Sequence, residues 1–158
     1  MAVVVREATR DDAETVARFA MLLSEQHREY DAERFISLSN AEGAKSYYGS
    51  QTEAEDAVIL LAEDEGNAVG FAYIQYDAIN YADLLTSAAW LHDIYVEESA
   101  RGLGTGQKLI EAAAKAAKKL GADKLMLHVA AKNALGMEFF ERHGFRTTML
   151  EMMLKVSK

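Results

Sequence analysis

The chain has 158 residues, half of them apolar and 27% charged, with a formal net charge of −8 at neutral pH. That size suits one domain, residues 1–158, with a sizeable core, and an acidic balance without a basic cluster argues against nucleic acid as a partner. No run approaches a membrane span and no secretion-signal progression opens the chain, so a cytoplasmic protein with no membrane partner is expected, and zero cysteines remove disulfides, thiolate metal sites and a cysteine acyl-enzyme.

Residues 3–6 read as a first strand. Thr9, with Asp12 three positions later, resembles a capping box that opens a helix burying Val16, Phe19, Ala20 and Leu23. A second helix covers part of residues 31–48. Segments 56–62 and 69–76 flank the polar cluster Glu63-Asp64-Glu65-Gly66-Asn67, which predicts a hairpin. Residues 88–96 form the next strand. Leu109, Ala113, Ala116 and Leu120 then recur at helical spacing, and Gly121 ends that helix. Leu125, Leu127 and Val129 alternate with Met126, His128 and Ala130, the pattern of a strand. A strand, helix, strand crossover makes the two strands parallel. Asn133 is placed to start a last helix, and Gly144 fits its left-handed terminator.

Between the strand ending at Val96 and the alanine-rich helix lies Arg101-Gly102-Leu103-Gly104-Thr105-Gly106. Backbone without side chains at the positive end of a helix lets several N–H groups converge on a phosphate. A P-loop would end in Gly-Lys-Ser/Thr, but Gly106 is followed by Gln107, Lys108 and Leu109, so the magnesium ligand is missing. A dinucleotide fingerprint needs a third glycine three positions after the second, whereas Gly104 is followed by Thr105, Gly106 and Gln107. What remains is R-x-x-G-x-G. Downstream, Phe139-Phe140-Glu141-Arg142-His143-Gly144-Phe145 looks like the closing F-Y-E-[KR]-x-G-F signature of the GNAT superfamily of acetyl-CoA-dependent N-acetyltransferases. With loop, crossover, Asn133 and closing signature in order, the chain resembles that superfamily. The N-terminal half matches it only in its order of elements.

The resemblance implies an α/β (α+β) fold: a mixed, mostly antiparallel sheet of about six to seven strands with about four flanking helices and one parallel pair that splays to bind the cofactor. It also implies a final strand after Phe145. Acetyl-CoA would be the donor, with no metal. Its pyrophosphate would sit on N–H groups of Arg101, Gly102, Leu103, Gly104, Thr105, Gly106 and Gln107. Its amide-bearing arm would pair with Ile94, Tyr95 and Val96 as an added strand. Asn133 is either a cofactor-holding amide or only a helix cap. Arg142 is either a further phosphate contact or a solvated helix residue.

Transfer to an amine needs a base, because a lysine-like amine has a pKa of about 10.4 and is mostly protonated near neutral pH. Leu91-His92-Asp93-Ile94-Tyr95-Val96 resembles the L-E-D-[IFL]-[FY]-V strand of polyamine and thialysine acetyltransferases, whose two acidic residues face the amine. Here His92 stands in the glutamate position and Asp93 is kept. Either could be the base, and adjacent strand residues reach one pocket only across a bulge or at a cleft edge. His27, His128 and His143 show no metal-ligand spacing and read as structural. Phe140 occupies the position of the superfamily's tyrosine acid and has no proton to give, though the resemblance still counts it among the cofactor contacts. Tyr95, Tyr76, Tyr73 and Tyr81 are the candidate replacements. The resemblance puts the substrate walls in residues 23–48 and in a strand connection over 77–87, where Tyr30, Asp31, Glu33, Phe35, Tyr47, Tyr48, Asp77, Tyr81 and Asp83 suit a small cationic amine: a polyamine, an amino-acid analogue or an aminoglycoside. A peptide or protein amine is the alternative, as is a non-catalytic acetyl-CoA-binding module. A homodimer is the superfamily's habit.

Overall fold

A computed structural model of the chain describes residues 2–157. Five strands form one sheet in chain order: β1 (Val3–Glu7), β2 (Ala57–Asp64), β3 (Asn67–Asn80), β4 (Leu85–Val96) and β5 (Lys124–Met126). The first four are antiparallel neighbours, while β5 joins β4 in parallel. Four helices cover the sheet: α1 (Ala13–Tyr30), α2 (Ala41–Gln51), α3 (Thr105–Leu120) and α4 (Ala134–Arg142).

The two faces follow the period of the strands. Ile59, Leu61, Phe71 and Tyr73 point to one face and pack with Val16, Phe19, Ala20 and Tyr48 of α1 and α2. Leu60, Ala72, Ile74, Ala89 and Leu91 point to the other, against Leu109, Ile110, Ala113 and Ala117 of α3 and Phe140 of α4. Each fully buried side chain of this size, such as Phe19 or Ile59, contributes about 1.5–3 kcal/mol. The predicted hairpin is β2–β3. Its two central residues, Glu65 (φ 51°) and Gly66 (φ 80°), are both left-handed, the backbone whose twist matches that of the strands it joins.

The second helix, expected over part of residues 31–48, is α2; it begins at Ala41 because Asp31 Oδ1 accepts the N–H groups of Glu33 and Arg34 in a local turn and Asn40 Oδ1 then caps α2 through Gly43 N. Two expectations are corrected. The connection placed over residues 77–87 is mostly strand, since β3 and β4 extend as a hairpin to a tip at residues 81–84. The sheet has five strands where six to seven were expected. The chain after Phe145, where the resemblance implied a final strand, pairs with no strand among the described residues and forms neither helix nor strand.

Candidate active site

The parallel pair is short. Ala88, Ala89 and Trp90 oppose Lys124, Leu125 and Met126, and pairing stops there although β4 continues to Val96. From Leu91 onward β4 is bonded to β3 on one side only, so its other edge offers backbone groups to an extended ligand. The strand expected over residues 125–130 is correspondingly cut to Met126.

A bulge lies at this fork. Tyr73 opposes Asp93 and Ile74 opposes Leu91, which leaves His92 as the extra residue of β4. One additional residue re-aims the side chains that follow it. Leu91 and Ile94 pack with the α3 side, while the His92 ring lies 5.3 Å from the Tyr73 ring and Asp93 is bonded to Tyr48, both on the α1–α2 side. Of the two ways in which His92 and Asp93 could reach one pocket, a bulge or a cleft edge, the chain has the bulge.

The two residues are not equivalent. Tyr48 Oη donates to Asp93 Oδ2 at 2.8 Å. Asp93 as a residue is partly buried, its carboxyl is enclosed, and burial pushes its pKa above the ordinary carboxylate range against the lowering effects of the Tyr48 hydrogen bond and of His27. Beside it Tyr73 Oη donates to Gln51 Oε1 at 2.9 Å and lies 2.8 Å from Tyr47 Oη. Burial raises the phenols of Tyr48 and Tyr73 well above their usual value. His92 moves the other way: burial, then the neighbouring His128, lowers its pKa below 6.5. At neutral pH its imidazole is uncharged and free to accept a proton.

Tyr95 lies one alternation further, its ring 5.6 Å from Phe19, in the core face rather than among these hydroxyls. The Arg101 guanidinium stands 5.7 Å above that ring, and its Nε donates to Val96 O at 2.8 Å, tying the glycine loop to the end of β4. Gly102 (φ 76°) and Gly104 (φ 84°) are left-handed and turn the chain into α3. Thr105 is buried and its hydroxyl donates to Ala100 O at 3.1 Å across the loop. At Gly106 an added Cβ would lie 3.0 Å from Phe139 Cζ, so α4 packs directly on the loop. The first N–H of the loop–helix junction to donate within the protein is that of Lys108, to Gly104 O; among the described residues those of residues 102–107 donate to no backbone carbonyl outside the helix. Leu103 and Gln107 are both exposed there. Such unpaired donors at the start of a helix fit a pyrophosphate.

Asn133 caps α4, its Oδ1 accepting Gly136 N at 2.9 Å, which leaves its amide N–H groups available to a ligand. A Cβ at Gly136 would meet Asn133 Nδ2 at 2.3 Å, so a side chain there would displace this cap. Phe140 is buried among Phe139, Phe145 and the α3 layer. His27 and His143 bond to carbonyls one helical turn back, at Leu23 and Phe139.

Next to the fork is an open cavity of about 390 Å³. Asp56, Asp77 and Asp83 line it together with Trp90, His92 and His128, and no lysine or arginine does. His128 stacks on Trp90 at 4.8 Å and 21°. Sequence reasoning missed Asp56, Trp90 and His128. Trp90 was legible in principle, as a polar-edged aromatic residue at the end of the paired stretch of β4, whereas His128 lies two residues beyond the end of β5. Asp56 was not, because only the β2–β3 pairing brings it here.

Comparison with known proteins now decides the family. The model described as "Acetyltransferase (GNAT) family" matches residues 17–145. The chain belongs to the GNAT acetyltransferase family. Among GNAT relatives, an uncharacterized N-acetyltransferase of Bacillus subtilis, YhfO, is 28% identical over 89% of this chain and 88% of its own. A putative phosphinothricin acetyltransferase of the same organism, YwnH, is 30% identical over 66% of this chain and 61% of its own. The solved structure of the aminoglycoside N-acetyltransferase AAC(6')-Iy, in complex with CoA, superposes with a TM-score of 0.80 at 17% identity, covering 98% of this chain and 94% of that one. The GNAT fold is thus shared along nearly the whole length, and the protein is an acyltransferase of this family.

Proposed function

We propose that this acetyltransferase moves the acetyl group of acetyl-CoA directly to a primary amine of a small cationic substrate, of the polyamine, amino-acid-analogue or aminoglycoside type. The cavity beside the fork carries this reading: three carboxylates and no cation line it, with Trp90 and two imidazoles at its walls. Carboxylates attract an ammonium group, and an aromatic face adds a cation–π contact worth about 0.5–2 kcal/mol. The named small-amine enzymes among the relatives are consistent with it.

Acetyl-CoA supplies a thioester whose carbonyl carbon the amine nitrogen attacks while the carbon–sulfur bond breaks. On the protein, the N–H groups of residues 102–107 would hold the pyrophosphate, the free edge at Ile94, Tyr95 and Val96 would pair with the amide-bearing arm, and Asn133 Nδ2 would donate to it. His92 is assigned the base: it lines the cavity and is neutral near pH 7, so it accepts the ammonium proton as the nitrogen becomes a nucleophile. Asp93 instead anchors the bulge through Tyr48. Phe140 gives no proton to the departing sulfur, which a thiol of reference pKa about 8.5 tolerates near neutral pH. With no cysteine in the chain, transfer has no thioester relay.

Thiol release from acetyl-CoA across polyamines, basic amino-acid analogues, aminoglycosides and lysine peptides tests this. Turnover confined to small polycations supports the proposal. Turnover of peptides alone, or of uncharged amines with equal efficiency, contradicts it.

A further inference from the structure

The hairpin of β3 and β4 outruns its neighbours. β2 accompanies β3 only as far as the pair of Ala57 with Gln75, and β5 joins β4 only from the pair of Lys124 with Ala88. Residues 78–87 therefore form a two-stranded ribbon with a free edge on either side among the described residues. A lone ribbon of this kind gains little stability from its own pairing. Its tip is nonetheless held together: Tyr81 O accepts Leu84 N at 3.3 Å and Asn80 Oδ1 accepts Asp83 N at 3.1 Å. The base of the ribbon is a break in the ladder. Asp77 pairs with Ala88 and Ile79 with Thr86, but no pair joins Ala78 to Ser87 between them. Ser87 has φ 51°, a left-handed backbone that a residue with a Cβ adopts only at a cost. Ser87 O accepts the N–H of Asp123 at 2.9 Å, so the inner side of the break is pinned to the residue before β5 while the ribbon beyond it is free to swing.

The ribbon turns its apolar side toward the cavity. Strand alternation carries the face of Tyr73 outward through Gln75 and Asp77, which line the cavity, to Ile79 and Tyr81. Leu84 stands across the turn from Tyr81 on the same face. Ile79, Tyr81 and Leu84 are 50, 81 and 92% exposed, an apolar end with nothing over it, while Asn80 and Asp83 of the same tip already line the cavity. Swinging the tip about Ser87 toward Trp90 covers that apolar end and encloses what the cavity holds. Distance sets what that is. From the level of the His92 bulge, opposite Tyr73 and Ile74, to Asp77 is three to four residues of β3, or about 10–13 Å at about 3.3 Å per residue.

We infer that Tyr81 is a specificity-determining residue, carried on a ribbon that pivots at Ser87 and lays the phenol ring over a second ammonium group of the acceptor, held by Asp77 and Asp83 beyond the reacting nitrogen. The inference rests on the reading of this cavity as the acceptor site and deepens it: the favoured acceptor is a linear amine whose far ammonium reaches Asp77 while its reacting nitrogen meets His92. Carboxylates on one side and an aromatic face on the other complete the enclosure of a cation, and the apolar residues of the tip lose their exposure only in the closed form.

A linear triamine long enough to span that distance and ethylenediamine, which is not, are compared as acceptors. Tyr81→Ala should raise KM for the triamine by about 2- to 30-fold with kcat little changed, and leave kcat/KM for ethylenediamine as it is. Tyr81→Phe, which keeps the ring, should restore the wild-type values. Tyr81 lies outside both cores, so the far-ultraviolet circular dichroism of either variant should match the wild type. An unchanged triamine KM in Tyr81→Ala overturns the inference, as does an equal loss for both amines. Occupancy of the cavity is read separately from the fluorescence of Trp90, the single tryptophan of the chain, as the triamine is added to protein saturated with coenzyme A. A saturating change with the same midpoint in wild type and Tyr81→Ala removes the role of Tyr81 and leaves the acceptor site standing; no change in the wild type removes both. Amide hydrogen exchange separates a swing from a fixed wall: amides of residues 79–86 should exchange fast in the free protein and slow down with coenzyme A and the triamine bound. Equal exchange in the two states overturns the pivot.

Discussion

Tyr48 and Asp93 are joined across the interface of α2 and β4 by a 2.8 Å hydrogen bond from phenol to carboxylate. This bond fixes the residue after the bulge, and the bulge in turn aims His92 at the cavity. Removing the donor by Tyr48→Phe leaves an enclosed acceptor unpaired, at a cost of about 1–3 kcal/mol. Urea unfolding should report that loss.

Asp93→Asn keeps an acceptor for Tyr48 and removes a carboxyl whose ionised form is disfavoured by burial. A folded-state pKa raised above the unfolded one contributes stability that is fully present below the unfolded pKa and is lost as pH rises through the folded pKa. The variant should therefore be as stable as the wild type or more so at neutral pH, with a flatter stability profile above the ordinary carboxylate range. Thermal melts across pH check this, and a variant that melts lower at neutral pH gives the ionised carboxylate a stabilising partner instead.

The assignment of the base separates adjacent residues kinetically. His92→Gln should lower kcat by about 100- to 10,000-fold, whereas Asp93→Asn should lower it less than about tenfold. Because burial and His128 depress the His92 pKa, the acidic limb of the wild-type kcat profile should have its midpoint below 6.5. The limb should vanish in His92→Gln.

The acidic wall predicts a KM effect. Asp77→Asn and Asp83→Asn, each removing one partly solvated charge from the cavity, should raise KM for a cationic amine by about 1.5- to 5-fold apiece with kcat little changed. Added salt should weaken wild-type binding in the same sense. Steady-state kinetics at two ionic strengths measures both.

The loop is tested at a residue with room around it. Gly104 has φ 84° and nothing within 4 Å of an added Cβ, so Gly104→Ala carries a backbone cost alone, about 1–2 kcal/mol. KM for acetyl-CoA should rise while kcat at saturation holds.

Much of this arrangement was legible in the sequence because it is local. The alternation in β2 and β3, the helical spacing of Leu109 and Ala113, and the glycine pair at 102 and 104 each encode their own geometry, while coenzyme A came only with the resemblance that the loop's neighbours carry. The adjacent polar residues His92 and Asp93 in an apolar strand even implied a bulge or a cleft edge. Long-range contacts were hidden: Tyr48 reaches Asp93 only when α2 lies on the sheet, and Asp56 joins the cavity only through the β2–β3 register. The C-terminal segment shows the opposite limit. The final strand that the resemblance implies after Phe145 needs a partner strand, and none pairs with that segment among the described residues.

Acetyl-CoA turnover with a small polyamine, followed as thiol release for the wild type and for His92→Gln, tests the central claim most directly. The account predicts rapid saturable release in the wild type and a drop of about 100-fold or more in the variant, with acetyl-CoA binding retained. Equal turnover by the two proteins, or no wild-type turnover of any small cationic amine despite bound acetyl-CoA, would contradict it.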